Sequence, residues 1–184
     1  MKVVAENGKI SFHRTYLEMT ERPTRPTVPA PAGRHALMRC HWPTLAFYRF
    51  LYREVGRPWL WYERSRMSDE ALSEAIHDEA VEIYVVYADG TPAGFAELVF
   101  DVPGECELRY LGIMPEFVGT GLGRYLLNWA IDHAFDHDAG RVWLHTCTLD
   151  HPKALAFYQR AGFRPYRQEY HEIPDPRVAV PLGK

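Results

Sequence analysis

The chain has 184 residues, of which 47% are hydrophobic, enough to build one domain with a full core and too apolar for wholesale disorder. A formal net charge of −3 with scattered Lys and Arg offers no attraction to nucleic acid or to an anionic membrane. No apolar run approaches the roughly 20 residues of a bilayer span, and Met1-Lys2-Val3-Val4 meets Glu6-Asn7-Gly8 too early to be a signal-peptide core, so a cytoplasmic protein without membrane contact is expected.

The cysteines Cys40, Cys106 and Cys147 lack any C-x-x-C pairing, which disfavours a disulfide framework and a zinc knuckle. Asn7-Gly8 stands between Lys2–Ala5 and Lys9–Phe12 as a two-residue hairpin signal, and a second extended run covers Thr15–Thr20. Pro23, Pro26, Pro29 and Pro31 then exclude helix and favour an extended connector. Residues 1–32 read as an accessory arm and residues 33–184 as the main domain. The arm is a candidate homodimer contact.

His35–Cys40 is a short strand. Pro43 suits the first position of a helix ending near Gly56, with Tyr48, Leu51, Tyr52 and Val55 on one face. An aromatic loop with Trp59, Trp61, Tyr62 and Glu63 follows, and then a helix capped by Ser68 or Asp69 and running to His77. Alternating apolar residues from Val81 to Tyr87, the Asp89-Gly90 turn and Ala93–Phe100 predict an antiparallel hairpin, and Glu105–Met114 extends it to a meander. A helix from Leu122 closed by Gly140, a strand at Val142–Thr148, a helix between Pro152 and Gly162, and an extended Phe163–Ile173 complete the pattern.

The chemistry concentrates at Val118-Gly119-Thr120-Gly121-Leu122-Gly123-Arg124, between the last meander strand and a helix. A helix start leaves N–H groups unpaired and carries partial positive charge, and glycine lets a large anion reach the backbone, so this loop is a candidate phosphate cradle, though weak as a motif taken alone. The loop has no Lys-Ser or Lys-Thr after its last glycine, and its spacing is G-x-G-x-G after antiparallel strands, which disfavours both the nucleotide P-loop and the dinucleotide fold.

Met114–Leu127 instead resembles the acetyl-CoA loop of the GNAT N-acetyltransferase superfamily. His151–Phe163 is similar to that family's closing signature, with Ala154, Phe157, Tyr158, Gly162 and Phe163 in register. The resemblance implies a mixed α/β fold whose twisted, mainly antiparallel sheet splays between its fourth and fifth strands. It implies acetyl-CoA as cosubstrate, direct transfer to a primary amine in a ternary complex, and a small-molecule or peptide amine as acceptor.

By the same resemblance, Gly119 to Arg124 hold the pyrophosphate, Leu111 and Ile113 flank the pantetheine arm, and His151, Ala154 and Phe157 belong to the cofactor side. Tyr158 is the expected acid for the departing thiolate and Glu107 the expected base for the ammonium. The alternative for Glu107 is an exposed strand face with Arg109 as counter-ion. His145 is a second candidate base, whose plainer reading is a core histidine. Trp59, Trp61 and Tyr62 are the expected acceptor wall, offering cation–π contact with charge attraction from Glu63.

Val118 stands where the family usually has Arg or Gln, and His151 where it has Asn. These departures keep open a catalytically silent acyl-CoA-binding or regulatory module. His133 and His137 are four residues apart on a helix without an H-E-x-x-H glutamate, so no metal is assigned.

Overall fold

The computed structural model describes residues 8–178. In chain order the elements are β1 (Lys9–Met19), β2 (His35–Arg39), α1 (Leu45–Gly56), α2 (Asp69–Ile76), β3 (Val81–Ala88), β4 (Thr91–Val99), β5 (Glu105–Ile113), α3 (Leu122–Asp136), β6 (Arg141–Cys147), α4 (Ala154–Ala161) and β7 (Arg164–Pro174). The strands form one sheet in the order β2-β3-β4-β5-β6-β1-β7. Every neighbouring pair is antiparallel except β5 and β6. The expected mixed, mainly antiparallel fold is present.

Alternation on the strands sorts residues to two cores. On β3, Tyr84, Val86 and Ala88 face α3, while Ile83 and Val85 face α1 and α2. Thr44 caps α1 by accepting from Phe47 N–H and Ser68 caps α2 by accepting from Ala71 N–H. The cap at α1 therefore falls on Thr44, with Pro43 just outside the helix. At the end of α3 the turn is made by Asp138, at φ 58°, whereas Gly140 donates its N–H to Gly104 O and begins the approach to β6.

The accessory arm is corrected for Lys9–Met19. This segment is a single strand paired with β6 on one side and β7 on the other, and Ile10, Phe12, Leu17 and Met19 are buried. Its alternating apolar residues find partners only across the sheet, and an internal strand satisfies both of its edges. The first half of the expected hairpin, residues 2–5, lies outside the described residues. The proline-rich connector runs back over α3, where Arg25 pairs with Asp132 at 3.1 Å and Arg22 pairs with Asp136 at 2.6 Å.

Counting Lys9–Met19 as β1 makes β5 and β6 the splayed pair. They pair only from Glu105↔Arg141 to Glu107↔Trp143. On the β4 side, Tyr110 opposes Glu97 and Leu108 opposes Leu98, so Arg109 is the extra residue of a bulge. A bulge bends its strand and raises local twist, which carries Tyr110–Ile113 away from β6. Gly112 permits β5 to approach α1 closely, because a Cβ there would run into Val55.

Far from this opening, Glu82 on β3 meets His133 Nε2 at 2.7 Å, Tyr84 Oη at 2.9 Å and Arg39 at 2.9 Å. With His137, the ligand-type atoms of Glu82 and His133 lie within 4.8 Å of one another, but the carboxylate is already engaged by the three neighbours just named. Burial raises the Glu82 carboxyl, yet the hydrogen bonds from His133 and Tyr84 and the Arg39 charge prevail and lower it from 4.5 to about 2. A folded pKa below the unfolded one stabilises above pH 4.5, and that contribution is lost as pH falls toward 2. Glu82→Gln should cost about 2 kcal/mol at neutral pH, after allowance for solvent screening, and flatten this acid limb. Urea unfolding at a series of pH values measures both.

Candidate functional site

The splay opens a cavity of about 500 Å³. Its walls are β5 from Leu108 to Ile113, the glycine loop, the first residues of α4, the end of β6, the Trp59–Glu63 loop, and Phe12 and Arg14 of β1. Most of these were expected together from sequence, but Phe12 and Arg14 were not, because an arm outside the domain gives no reason to place them here.

At the floor, Gly119 has φ 89° and Gly121 has φ 92°, the left-handed region where a side chain is strained. Gly121 is the N-terminal boundary residue of α3 and carries no capping side chain, so the first N–H groups of a 15-residue helix have no acceptor within the helix. That is a fit for a phosphate group. Val118 lines the cavity and is 56% exposed, so a phosphate here would be met by backbone N–H groups, and Arg124, Lys153 and Arg160 are among the cations that line the cavity. Above it, β5 from Tyr110 to Ile113 is paired with β4 on one edge only, leaving the other edge of backbone amides for an extended chain with amides of its own. Leu111 and Ile113 line this stretch.

Thr120, Leu122 and Glu107 do not line the cavity. The Thr120 hydroxyl donates to Phe117 O at 2.7 Å, and Leu122 is buried in the core at 1% exposure. Glu107 is buried and held by Arg109, with Nε at 2.8 Å and Nη2 at 2.6 Å. Glu107 thus has Arg109 as counter-ion, as in the alternative, but on a buried face instead of an exposed one: it lies before the bulge, on the part of β5 still paired with β6 and outside the cavity lining, so it is not placed as the base.

His145 does line the cavity. Its pKa is lowered from the ordinary 6.5, first by burial and then by the Arg14 charge, against the pull of Glu107, Asp150 and Glu63. The imidazole is therefore neutral at pH 7. Tyr158 projects from α4 into the same cavity. Burial, and secondarily the Asp150 charge, raise its phenol above the ordinary 10. Its ring packs against Phe157 and edge-on to Phe163, and its hydroxyl makes no hydrogen bond to the described residues.

The signature departure at His151 is locally compensated. His151 Nδ1 accepts from Lys153 N–H at 3.0 Å and its carbonyl accepts from Ala154 N–H at 2.7 Å, which organises the entry to α4. Ala154 and Phe157 line the cavity as expected.

Trp59, Trp61 and Tyr62 line it too, though each is partly committed. Trp59 packs edge-on to His151, Trp61 Nε1 donates to Asp150 Oδ1 at 3.2 Å, and Arg66 lies 5.5 Å from the Tyr62 ring centre. Beneath them Arg64, buried, donates to Glu97 Oε1 at 2.7 Å, and Tyr48 Oη donates to Glu97 Oε2 at 2.5 Å. This network ties the aromatic loop to β4 and α1. A single Arg or Glu gives no signal of it in the sequence.

The model of the Acetyltransferase (GNAT) family matches residues 44–163. Among curated proteins, the chain is 36% identical over 106 residues to a mycothiol acetyltransferase of Clavibacter sepedonicus, covering 55% of this chain and 34% of that one. It is 31% identical over 117 residues to a spermidine N(1)-acetyltransferase of Vibrio cholerae, covering 56% and 63% respectively. The chain thus spans about a third of the first of these proteins and under two thirds of the second. A GCN5-related N-acetyltransferase from Sphaerobacter thermophilus shares the fold at a TM-score of 0.67 with 16% identity, over 93% of this chain and 54% of that one.

Proposed function

Because the chain belongs to the GNAT acetyltransferase family, we propose that its cavity binds acetyl-CoA and transfers the acetyl group directly to a primary amine. The observation that carries this reading is the continuity of three parts in one cavity: glycine-bounded N–H groups at α3, a free backbone edge on β5, and an unbonded tyrosine hydroxyl on α4. The cosubstrate supplies an activated thioester. Gly119, Gly121, Gly123 and Arg124 hold its phosphates, the Leu111–Ile113 edge aligns its amide arm, and Ala154 and Phe157 cover it.

His145 takes the proton from the incoming ammonium, directly or through one water, since it is neutral at working pH and faces the cavity. Tyr158 stays protonated through neutral pH and delivers its proton to the departing sulfur. The acceptor enters beside Trp61, Tyr62 and Glu63. A chain that only binds acyl-CoA is the second reading, favoured by the apolar Val118 at the cradle.

Acetyl-CoA should bind in calorimetry and release free thiol in proportion to added amine. Binding without amine-dependent thiol release would establish the second reading. In turnover, kcat/KM should rise with pH as His145 loses its proton, with a midpoint below 6.5. His145→Gln should lower the rate roughly 100-fold and remove that limb. An unchanged limb in the variant would exclude His145 as the base.

A further inference from the structure

The cavity wall on β1 carries a cation that no carboxylate among the described residues pairs with. Arg14 stands on β1, outside residues 44–163 of the family match, and its register opposite Cys147 places it at the end of β6 beside His145. It is half-buried, hydrogen-bonded to Tyr16 and 6.0 Å from the Phe12 ring centre, but its Nε is shut from solvent with no hydrogen-bond partner and no carboxylate among the described residues forms an ion pair with it. The acids of the cavity are otherwise used. Asp150 Oδ1 accepts from Trp61, and its Oδ2 accepts from Thr146 Oγ1 and Cys147 N–H. Glu63 is exposed, accepts from Tyr110 Oη at 3.2 Å, and lies near enough to act on the Arg14 charge without pairing with it.

Tyr16 and the Glu63 charge support this cation, but a guanidinium with a buried, unbonded Nε in a partly desolvated wall keeps hydrogen-bonding capacity for an anionic partner. The planar fork of a guanidinium matches a carboxylate with two parallel hydrogen bonds. Of the other cations lining the cavity, Arg109 is paired with Glu107, Arg124 belongs to the glycine loop, and Lys153 and Arg160 stand at the two ends of α4, which leaves Arg14 as the cation of the β1 wall. Resting on the transfer reading above, we propose that the acceptor is an amine that also carries a carboxylate, bound by Arg14 while Glu63 draws the ammonium end. One molecule with both charges satisfies both walls. A simple polyamine would leave Arg14 facing a second cation.

The test uses straight-chain ω-amino acids and their primary amides as matched acceptors, read by thiol release from acetyl-CoA. The acids should show kcat/KM roughly 10- to 100-fold above the amides, the range of a charge-assisted pair. The preference should collapse toward one in Arg14→Gln through KM and survive in part in Arg14→Lys. Because the readout is a ratio, general damage to the fold does not mimic it. Equal kcat/KM for acid and amide, or a ratio unchanged in Arg14→Gln, overturns this inference alone. Absence of thiol release with every amine overturns the transfer reading and this inference with it.

Discussion

Tyr158→Phe should lower kcat roughly 100-fold while leaving the acetyl-CoA dissociation constant within about twofold. The variant keeps the ring contacts to Phe157 and Phe163 and removes only a hydroxyl that has no partner among the described residues. Packing and the cradle at α3 are therefore unchanged, and the loss falls on the step in which sulfur gains a proton. Burial and Asp150 hold the phenol protonated, so it is a donor throughout the neutral range. Calorimetry with steady-state thiol release separates the two quantities. Equal loss of affinity and turnover would make Tyr158 a binding residue.

The largest effect on stability is expected at the network under the aromatic loop. Arg64→Met leaves the Glu97 carboxylate, 0% exposed, without its cation and should cost about 3–5 kcal/mol. For a chain of 184 residues that corresponds to a fall in Tm of about 10 °C. Replacing Glu97 with Gln in the same chain should recover much of the loss, because the pair is expensive to break and far less so to remove. Arg64 also directly follows the Trp59–Glu63 loop, so the single variant should raise acceptor KM before it unfolds. Thermal unfolding and amine-dependent kinetics, measured on the same preparations, test both statements.

Much of the site was legible because its signals are local. A glycine-rich loop before an apolar helix and alternation along β3 to β5 declare themselves within a dozen residues, and the Phe-Tyr pair followed by Ala-Gly-Phe does so through the family resemblance. Glu107 was misplaced for the opposite reason. Its face and its partner depend on the Arg109 bulge, and a bulge is fixed by pairing with β4, not by the strand's own pattern. The N-terminal strand was misread on the same ground: its alternation is evident, but the neighbours that make it internal are β6 and β7, more than a hundred residues further on.

By itself the sequence determined the order of strands and helices and the glycine loop that opens α3, since propensity, period and glycine geometry act over a few residues, while the tyrosine of α4 was singled out by the family resemblance. The tertiary structure decided the rest: the splay of β5 from β6, the confinement of Glu107 by Arg109, the entry of His145 into the cavity, and the arrival of Arg14 from the far end of the chain. Each of these is set by sheet pairing across long sequence separations and by burial of charge, and both exist only once the chain has folded.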